Sequence, residues 1–354
     1  MSVLGKHSGP ATSAVPPEPP QLNVLLHVDG EWTAGTGGEV LPIVNPATQM
    51  QIGCVAKVSI VDLERAVKAA ARGFDAWKAV PPLERARVLR RAGDLLRERA
   101  RVIAAILTAE QVKPFVQAVA EVTGSADSID WFAEEGKRCF GQVIPGRMPG
   151  TNVITRLEPV GPVAAFTPWN FPVSQAVKKL AAGLAAGCSV ILKGPEETPG
   201  SCAELVRVFV DAGLPAGALG LLYGDPATIS NYLIPHPVIR KVTFTGSVAV
   251  GKLLAGLAGT HMKHVTMELG GHAPVIVCDD ADIDAAALAL ARFKFMNAGQ
   301  VCLSATRFLI ARPVYEAFVD RFAAVARSLK VGDGRLEDTY MGPLANRRRV
   351  KAME

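Results

Sequence analysis

The sequence predicts an α/β fold, a doubly wound parallel sheet followed by the start of a second α/β unit. Three observations predict it. From Gly161 onward, short apolar runs alternate with helical stretches, the rhythm of parallel strands joined by crossover helices. The alternation restarts after Gly270-Gly271, which marks a junction between domains. The 354 residues are 49% hydrophobic and 20% charged, enough to bury a sizeable core in two domains.

Taken in order, residues 1–22 are rich in proline and lack an apolar block, so they read as a disordered tail and not as a signal or transit peptide. Residues 27–56 read as short strands with turns at Asp29-Gly30, Gly37-Gly38 and Asn45-Pro46. Val61 to Val80 reads as a helix with Asp62 near its N-terminus, ended by Pro81-Pro82. From Leu83 to Leu107 the apolar residues fall at helical spacing between arginines, which predicts one long amphipathic helix. A further helix covers Ala118 to Lys137, and residues 141–158 alternate as a hairpin around Pro149-Gly150.

The parallel strands are expected at Pro162–Phe166, Ser189–Leu192, Gly220–Tyr223, Lys241–Phe244 and His264–Met267. Helices lie between them at Ser174–Ala186, Cys202–Ala212, Ala227–Leu233 and Val248–Leu257. Sheets of this kind bind dinucleotides beyond the carboxyl ends of their strands. After Gly271 a strand (Pro274–Cys278), a helix (Asp282–Asn297), a strand (Arg307–Ala311) and a helix (Val314–Lys330) begin the second unit.

Composition excludes several classes. The net charge of +5 is spread along the chain, so no nucleic-acid footprint stands out. The cluster Arg347-Arg348-Arg349 with Lys351 reads as a solvated helix face before a phosphate-binding patch. The uncharged stretch Pro159–Val177 contains four prolines and makes a poor membrane helix. Six scattered cysteines without a C-x-x-C pair fit a reducing compartment, and a cytoplasmic location is expected. His261, His264 and His272 lack zinc-ligand spacing, so no metal site is expected.

Chemistry gathers at strand ends and at two short motifs. Glu268-Leu269-Gly270-Gly271 and Gly299-Gln300-Val301-Cys302 place a carboxylate and a thiol 34 residues apart, far enough for the chain to return and set them face to face. A thiol nucleophile with a carboxylate base can attack a carbonyl and hydrolyse the resulting thioester. Taken alone, a lone cysteine is more often a small buried apolar residue. Thr167-Pro168-Trp169-Asn170-Phe171-Pro172 ends the first parallel strand, and Asn170, stiffened by two prolines, suits an oxyanion donor. Lys193 and Glu196 at the second strand end can hold ribose hydroxyls or form a plain surface ion pair. Phe244-Thr245-Gly246-Ser247 opens a helix whose N-terminus favours a phosphate. There is no G-x-G-x-x-G after the first strand.

In this order and spacing, these segments closely resemble the NAD(P)-dependent aldehyde dehydrogenase superfamily, from about His27 to the end of the chain. The overall texture is nearest to succinate-semialdehyde dehydrogenases. The resemblance implies an aldehyde dehydrogenase-like fold, with a Rossmann-type NAD-binding domain over residues 23–269 and the N-terminal part of a catalytic domain over 270–354. It implies Cys302 as nucleophile, Glu268 as general base for deacylation and Asn170 with the Cys302 backbone N–H as the oxyanion hole. Lys193 and Glu196 would bind the adenosine ribose, and Ser247 would face the pyrophosphate. Phe166, Thr167, Pro168, Trp169, Gly224, Phe244, Thr245, Gly246, Leu269 and Gly270 complete the expected cofactor cleft. Glu196 repels a 2′-phosphate, so NAD is expected over NADP.

The sequence also departs from the family. Gly194 stands where a proline is usual, and Leu303-Ser304 follow the nucleophile in place of Thr-Ala. Met296 stands where succinate-semialdehyde members carry an arginine, leaving Lys178 as the candidate tunnel cation. Lys178, Met296 and Leu303 are therefore the candidate substrate residues, and an apolar or aromatic aldehyde competes with succinate semialdehyde. The family continues beyond Glu354 with a Glu-x-Phe-Gly-Pro motif at the nicotinamide ribose, so a C-terminally truncated chain is expected. Three functions follow: aldehyde oxidation, a catalytically silent fragment that at most binds NAD, and a cofactor-free thiol esterase. The family forms homo-oligomers through a hairpin matching residues 141–158. Without its partner strand this hairpin is expected to aggregate.

Overall fold

The computed structural model describes residues 16–19 and 21–354. The expected tail, residues 1–22, lies outside the described residues at 1–15 and 20, and its last residue, Leu22, belongs to a strand. The chain opens with β1 (Leu22–Val24), β2 (Leu26–Val28), β3 (Glu31–Thr33), β4 (Val40–Val44) and β5 (Gln51–Ala56). Asp29 and Gly30, with φ of 57° and 84°, make the tight turn between β2 and β3. Four helices follow: α1 (Ile60–Lys78), α2 (Pro82–Glu98), α3 (Ala100–Gln111) and α4 (Phe115–Gly136). The Ser59 hydroxyl accepts from the Asp62 amide, while the Asp62 carboxylate accepts from the Ser59 amide, a capping box that starts α1.

The single helix expected over Leu83–Leu107 is two helices. The chain breaks at Arg99 (φ −91°, ψ 2°), and its guanidinium pairs with Asp211 at 2.7 Å. No proline or glycine marks the break, because α3 turns to pack on α4 and on a later helix for tertiary reasons. The next helix starts at Phe115, not Ala118, since Pro114 is already set for a helix entrance. The hairpin consists of β6 (Gln142–Pro145) and β7 (Asn152–Thr155), with Gln142 opposite Thr155. Every residue of both strands is exposed.

The parallel unit then runs β8 (Val163–Phe166), α5 (Pro172–Ala185), β9 (Val190–Lys193), α6 (Pro199–Asp211), β10 (Leu219–Leu222), α7 (Pro226–Leu233), β11 (Lys241–Gly246), α8 (Val248–Thr260) and β12 (His264–Leu269). The sheet order is β12-β11-β8-β9-β10-β2-β3. The first five strands are parallel, and the β2–β3 hairpin extends the sheet antiparallel. That extension has no local signal in the sequence, and β1, β5 and β4 form a separate three-stranded sheet. From β8 the chain winds outward through β9 and β10, then returns to the other side of β8 for β11 and β12. The switch point therefore lies between β8 and β11, where a crevice opens beyond their carboxyl ends.

All residues of β8, β9 and β10 are buried, as a sheet covered on both faces requires. Trp77 of α1 is 1% exposed and donates its indole N–H to the Leu184 carbonyl at 2.8 Å. The chain ends with β13 (Val275–Val277), α9 (Ile283–Phe295), β14 (Phe308–Ile310), α10 (Tyr315–Ser328) and α11 (Arg347–Lys351). These residues have their own small core, in which Val277, Ala287 and Phe318 pack with Phe308 and Phe322. Among the described residues, no helix is long and apolar enough to cross a membrane, and no group of three or more His, Cys, Asp or Glu could hold a metal.

Candidate active site

The Cys302 loop departs from α9 through an unusual backbone. Asn297, Ala298 and Gly299 all lie in the left-handed region, with φ of 50°, 55° and 71°. Glycine and asparagine tolerate this, whereas Ala298 costs roughly 1–2 kcal/mol. Hydrogen bonds hold the turn. Asn297 donates its backbone N–H to Gln117 Oε1 at 3.0 Å, and buried Gln300 donates Nε2–H to the Asn297 carbonyl at 3.1 Å. Gln300 Oε1 accepts from the Ala345 amide at 3.0 Å, tying the segment before α11 to the loop. Cys302 follows, exposed.

Asn170 approaches the same loop from the end of β8. Its side-chain Nδ2 donates to the Gln300 carbonyl at 2.8 Å. Its own carbonyl accepts from Gln111 Nε2 at 2.8 Å, Lys113 Nζ at 2.9 Å and Asn297 Nδ2 at 3.0 Å. A primary amide carries two N–H groups, so the bond to Gln300 leaves Asn170 a second donor. The sequence singled out Asn170 but gave no hint of these partners.

Glu268 lies in β12 and is exposed. Behind it Lys179 of α5 is buried, and its Nζ donates to Thr245 Oγ1 at 2.8 Å and Thr243 Oγ1 at 3.2 Å. Burial pulls the Lys179 ammonium down to about 8, against the opposing pull of the Glu268 carboxylate. The sequence reading named Lys178 and missed Lys179. Helical periodicity carried the signal, since Lys179 follows buried Pro172 and Ala176 by seven and three positions on the inward face of α5.

Three neighbouring cavities share these walls. A cavity of about 710 Å³ is lined by Phe166, Thr167, Pro168, Trp169, Lys193, Glu196, Gly224, Phe244, Thr245 and Gly246, and also by Arg348. A second, of about 330 Å³, shares Pro168, Trp169, Thr245 and Gly246 with the first and adds Asn170, Ser247, Leu269 and Gly270. Glu268 and Cys302 line this second cavity too. They also line a third cavity of about 750 Å³ with Lys178, Lys179 and Leu303. Met296, half-buried, is not among the residues lining any of the three.

The first two cavities carry side chains and backbone groups that could hold a dinucleotide. Lys193 Nζ donates to Glu196 Oε2 at 2.6 Å, while Glu196 Oε1 accepts from the Gly224 amide at 3.1 Å. Both groups are held at the end of β9, next to the switch point. Gly246 lacks the Cβ that would meet the Phe244 ring at 2.4 Å, so that ring packs directly on its backbone at the wall of the first cavity. The Ser247 hydroxyl accepts from Val250 N at 3.4 Å and starts α8, whose first amides favour an anion. The basic cluster of α11 is largely exposed, as a solvated face is, but two of its arginines reach the cavities. Arg349 lines the second cavity, and Arg348 pairs with Glu197 in the first.

Comparison with known proteins assigns the family. The model of the aldehyde dehydrogenase family matches residues 32–354. A 4-(hydroxymethyl)benzenesulfonate dehydrogenase of Comamonas testosteroni is 46% identical over 329 residues, covering 93% of this chain and 69% of that protein. A succinate semialdehyde dehydrogenase of Acinetobacter baylyi is 42% identical over 327 residues, covering 92% of this chain and 68% of that protein. The crystal structure of succinate-semialdehyde dehydrogenase from Burkholderia pseudomallei superposes with a TM-score of 0.91 at 38% identity, over 98% of this chain and 70% of that one. With sequence and fold in agreement from Trp32 onward, the chain belongs to the aldehyde dehydrogenase family, NAD(P)-dependent enzymes that oxidise aldehydes.

Proposed function

We propose that this chain oxidises an aldehyde to its carboxylic acid by covalent catalysis at Cys302, with NAD preferred over NADP. One observation carries the reading: Cys302 and Glu268 both line the cavity that could hold the nicotinamide end of a dinucleotide, and both also line the neighbouring cavity with Lys178 and Leu303. The Cys302 thiolate adds to the aldehyde carbon, forming a C–S bond and placing negative charge on oxygen. The second N–H of Asn170 and the Cys302 backbone N–H hold that oxygen. A nicotinamide dinucleotide held by Trp169, Lys193, Glu196 and Phe244–Ser247 would supply the hydride acceptor that lets the carbonyl re-form as a thioester on Cys302. Glu268 then takes a proton from water, whose oxygen attacks the thioester. The C–S bond breaks and the acid leaves. The Lys179 ammonium, which lines the same cavity as Glu268, attracts its carboxylate while it holds its proton, below about pH 8.

The preference for NAD rests on Glu196, whose carboxylate opposes a 2′-phosphate at the ribose end of the cavity. The substrate we infer has an apolar body and an anionic tail. Lys178 is exposed in the cavity that holds Cys302 and Leu303, and the relatives named above act on a benzenesulfonate and on succinate semialdehyde. The exposed β6–β7 ribbon offers strand edges that support self-association; a strictly monomeric chain by light scattering would contradict it. Its free cysteines suit the reducing cytoplasm.

The test is aldehyde-dependent reduction of NAD, compared between benzaldehyde and a para-sulfonated benzaldehyde. The parent is expected to turn over, favour the sulfonate and lose activity in Cys302→Ala. Turnover surviving Cys302→Ala sinks the mechanism, and ester hydrolysis without any aldehyde oxidation selects the esterase reading instead. Equal kcat/KM for the two aldehydes removes Lys178 from the account but leaves Cys302 in it.

A further inference from the structure

A buried ion pair beneath the Asn170 loop has no part in the reaction scheme above. Lys113 and Glu121 are each 1% exposed at the side chain and are joined Nζ to carboxylate. Lys113 follows Val112, the left-handed residue that ends α3, and Glu121 lies in the second turn of α4. The same Lys113 Nζ donates to the Asn170 carbonyl at 2.9 Å and lies 3.8 Å from the centre of the Phe171 ring. Glu121 Oε1 accepts from the amides of Val173 and Ser174, at 3.1 Å and 3.2 Å, in the first turn of α5. One ion pair thus grips both ends of the 170–174 turn, the cation on a carbonyl and the anion on helix N-terminal amides.

Burying two charges costs several kcal/mol per ion before their attraction offsets it, and well-packed apolar residues are often no less stable. An apolar pair cannot bond one carbonyl and two amides. The Asn170 carbonyl, with further donors from Gln111 and Asn297, cannot rotate without breaking three hydrogen bonds. That fixes the peptide from which the Asn170 side chain departs. Oxyanion donors act by being in place before charge develops, and a misplacement of about 1 Å can cost about 100-fold in rate.

We propose that Lys113, with Glu121 as its counter-ion, is a positioning residue that clamps the 170–174 turn and aims the Asn170 amide at the carbonyl oxygen of an aldehyde on Cys302. This rests on the reading of Cys302 as nucleophile and Asn170 as oxyanion donor. Lys113 itself is not among the residues that line the three cavities.

The experiment is a double-mutant cycle between Lys113→Met and Asn170→Ala. Because Lys113→Met leaves a buried anion unpaired, the charge-neutral pair Lys113→Met/Glu121→Gln is made alongside it. Thermal unfolding and iodoacetamide alkylation of Cys302 report on fold and nucleophile. Both Lys113 variants are expected to lose about 10- to 100-fold in kcat/KM for aldehyde. The dissociation constant for NAD should stay within about 2-fold, and the loss should shrink below about 3-fold in the Asn170→Ala background. Losses that add in full to that of Asn170→Ala, or parental rates in the charge-neutral variant, overturn the positioning role alone. Parental rates in Asn170→Ala would overturn the oxyanion reading, and the positioning role with it.

Discussion

Asn297 donates its side-chain amide to the Asn170 carbonyl at 3.0 Å, joining residues 127 apart in sequence. Asn170 returns the contact by donating to Gln300. The loop that carries the thiol and the loop that carries its proposed oxyanion donor are thus clasped in both directions. The clasp holds three consecutive left-handed residues. Asn297→Gly keeps the backbone freedom and removes the bond, whereas Asn297→Ala removes both. We expect Asn297→Gly to lose about 1–3 kcal/mol of stability and Asn297→Ala roughly 1 kcal/mol more, each with lower kcat. Equal unfolding midpoints for the two variants would show that the left-handed turn stores no strain.

Glu110 is fully buried against the first turn of α6, accepting from the amides of Gly200 and Ser201 at 2.8 Å and 3.0 Å. Burial pushes its carboxyl up to about 7, against these bonds. The sign follows: the folded chain binds a proton more tightly than the unfolded chain. Glu110 therefore contributes stability that is full below the ordinary carboxylate range and is lost as pH rises to about 7. The loss is on the order of 3 kcal/mol. Urea midpoints taken from pH 5 to pH 8 should fall more steeply for the parent than for Glu110→Gln, and parallel curves would refute the assignment.

Lys179 carries the opposite sign. Its folded value of about 8 lies below the ordinary lysine value, so the unfolded chain holds the proton more tightly. The cost of burying the ammonium is full below pH 8 and is relieved as pH rises from there toward 10.5. Glu268 opposes this shift and Lys178 adds to it. Lys179→Met should remove the alkaline rise in stability. It should also slow deacylation by about 10-fold or more, because Glu268 loses its facing charge. Pre-steady-state burst kinetics separate the slowed step from acylation, and an unchanged steady-state rate would rule out a catalytic part for Lys179.

Gly73 and Gly217 let α1 close onto the segment before β10. A Cβ on Gly73 would lie 2.0 Å from the Gly217 carbonyl carbon, and Gly217 has φ +79°. Gly73→Ala is expected to cost at least about 2–3 kcal/mol. Gly256 in α8 meets nothing within 4 Å, so Gly256→Ala should stabilise by about 0.5–1 kcal/mol. Chemical denaturation of both variants checks the pair, and a stable Gly73→Ala protein would mean that α1 can shift outward.

The parallel sheet was legible because each strand is a short apolar run closed by a breaker, as with Val163–Phe166 before Pro168 and Lys241–Gly246 before the Ser247 cap. The residues at those strand ends were legible for the same reason, and all candidate cofactor residues line one of two adjoining cavities. The supports were not legible. Gln111, Lys113 and Asn297 reach Asn170 across 59, 57 and 127 residues, and such polar contacts leave no local periodicity. The break at Arg99 escaped notice because tertiary packing, not a helix breaker, imposes it. Lys179 was hidden by Lys178, its exposed neighbour in a dilysine.

Cys302 and Glu268 each border two cavities. A thiol that borders two cavities can meet an occupant of each. On the proposed reading, the occupants of the two cavities need not share one exit.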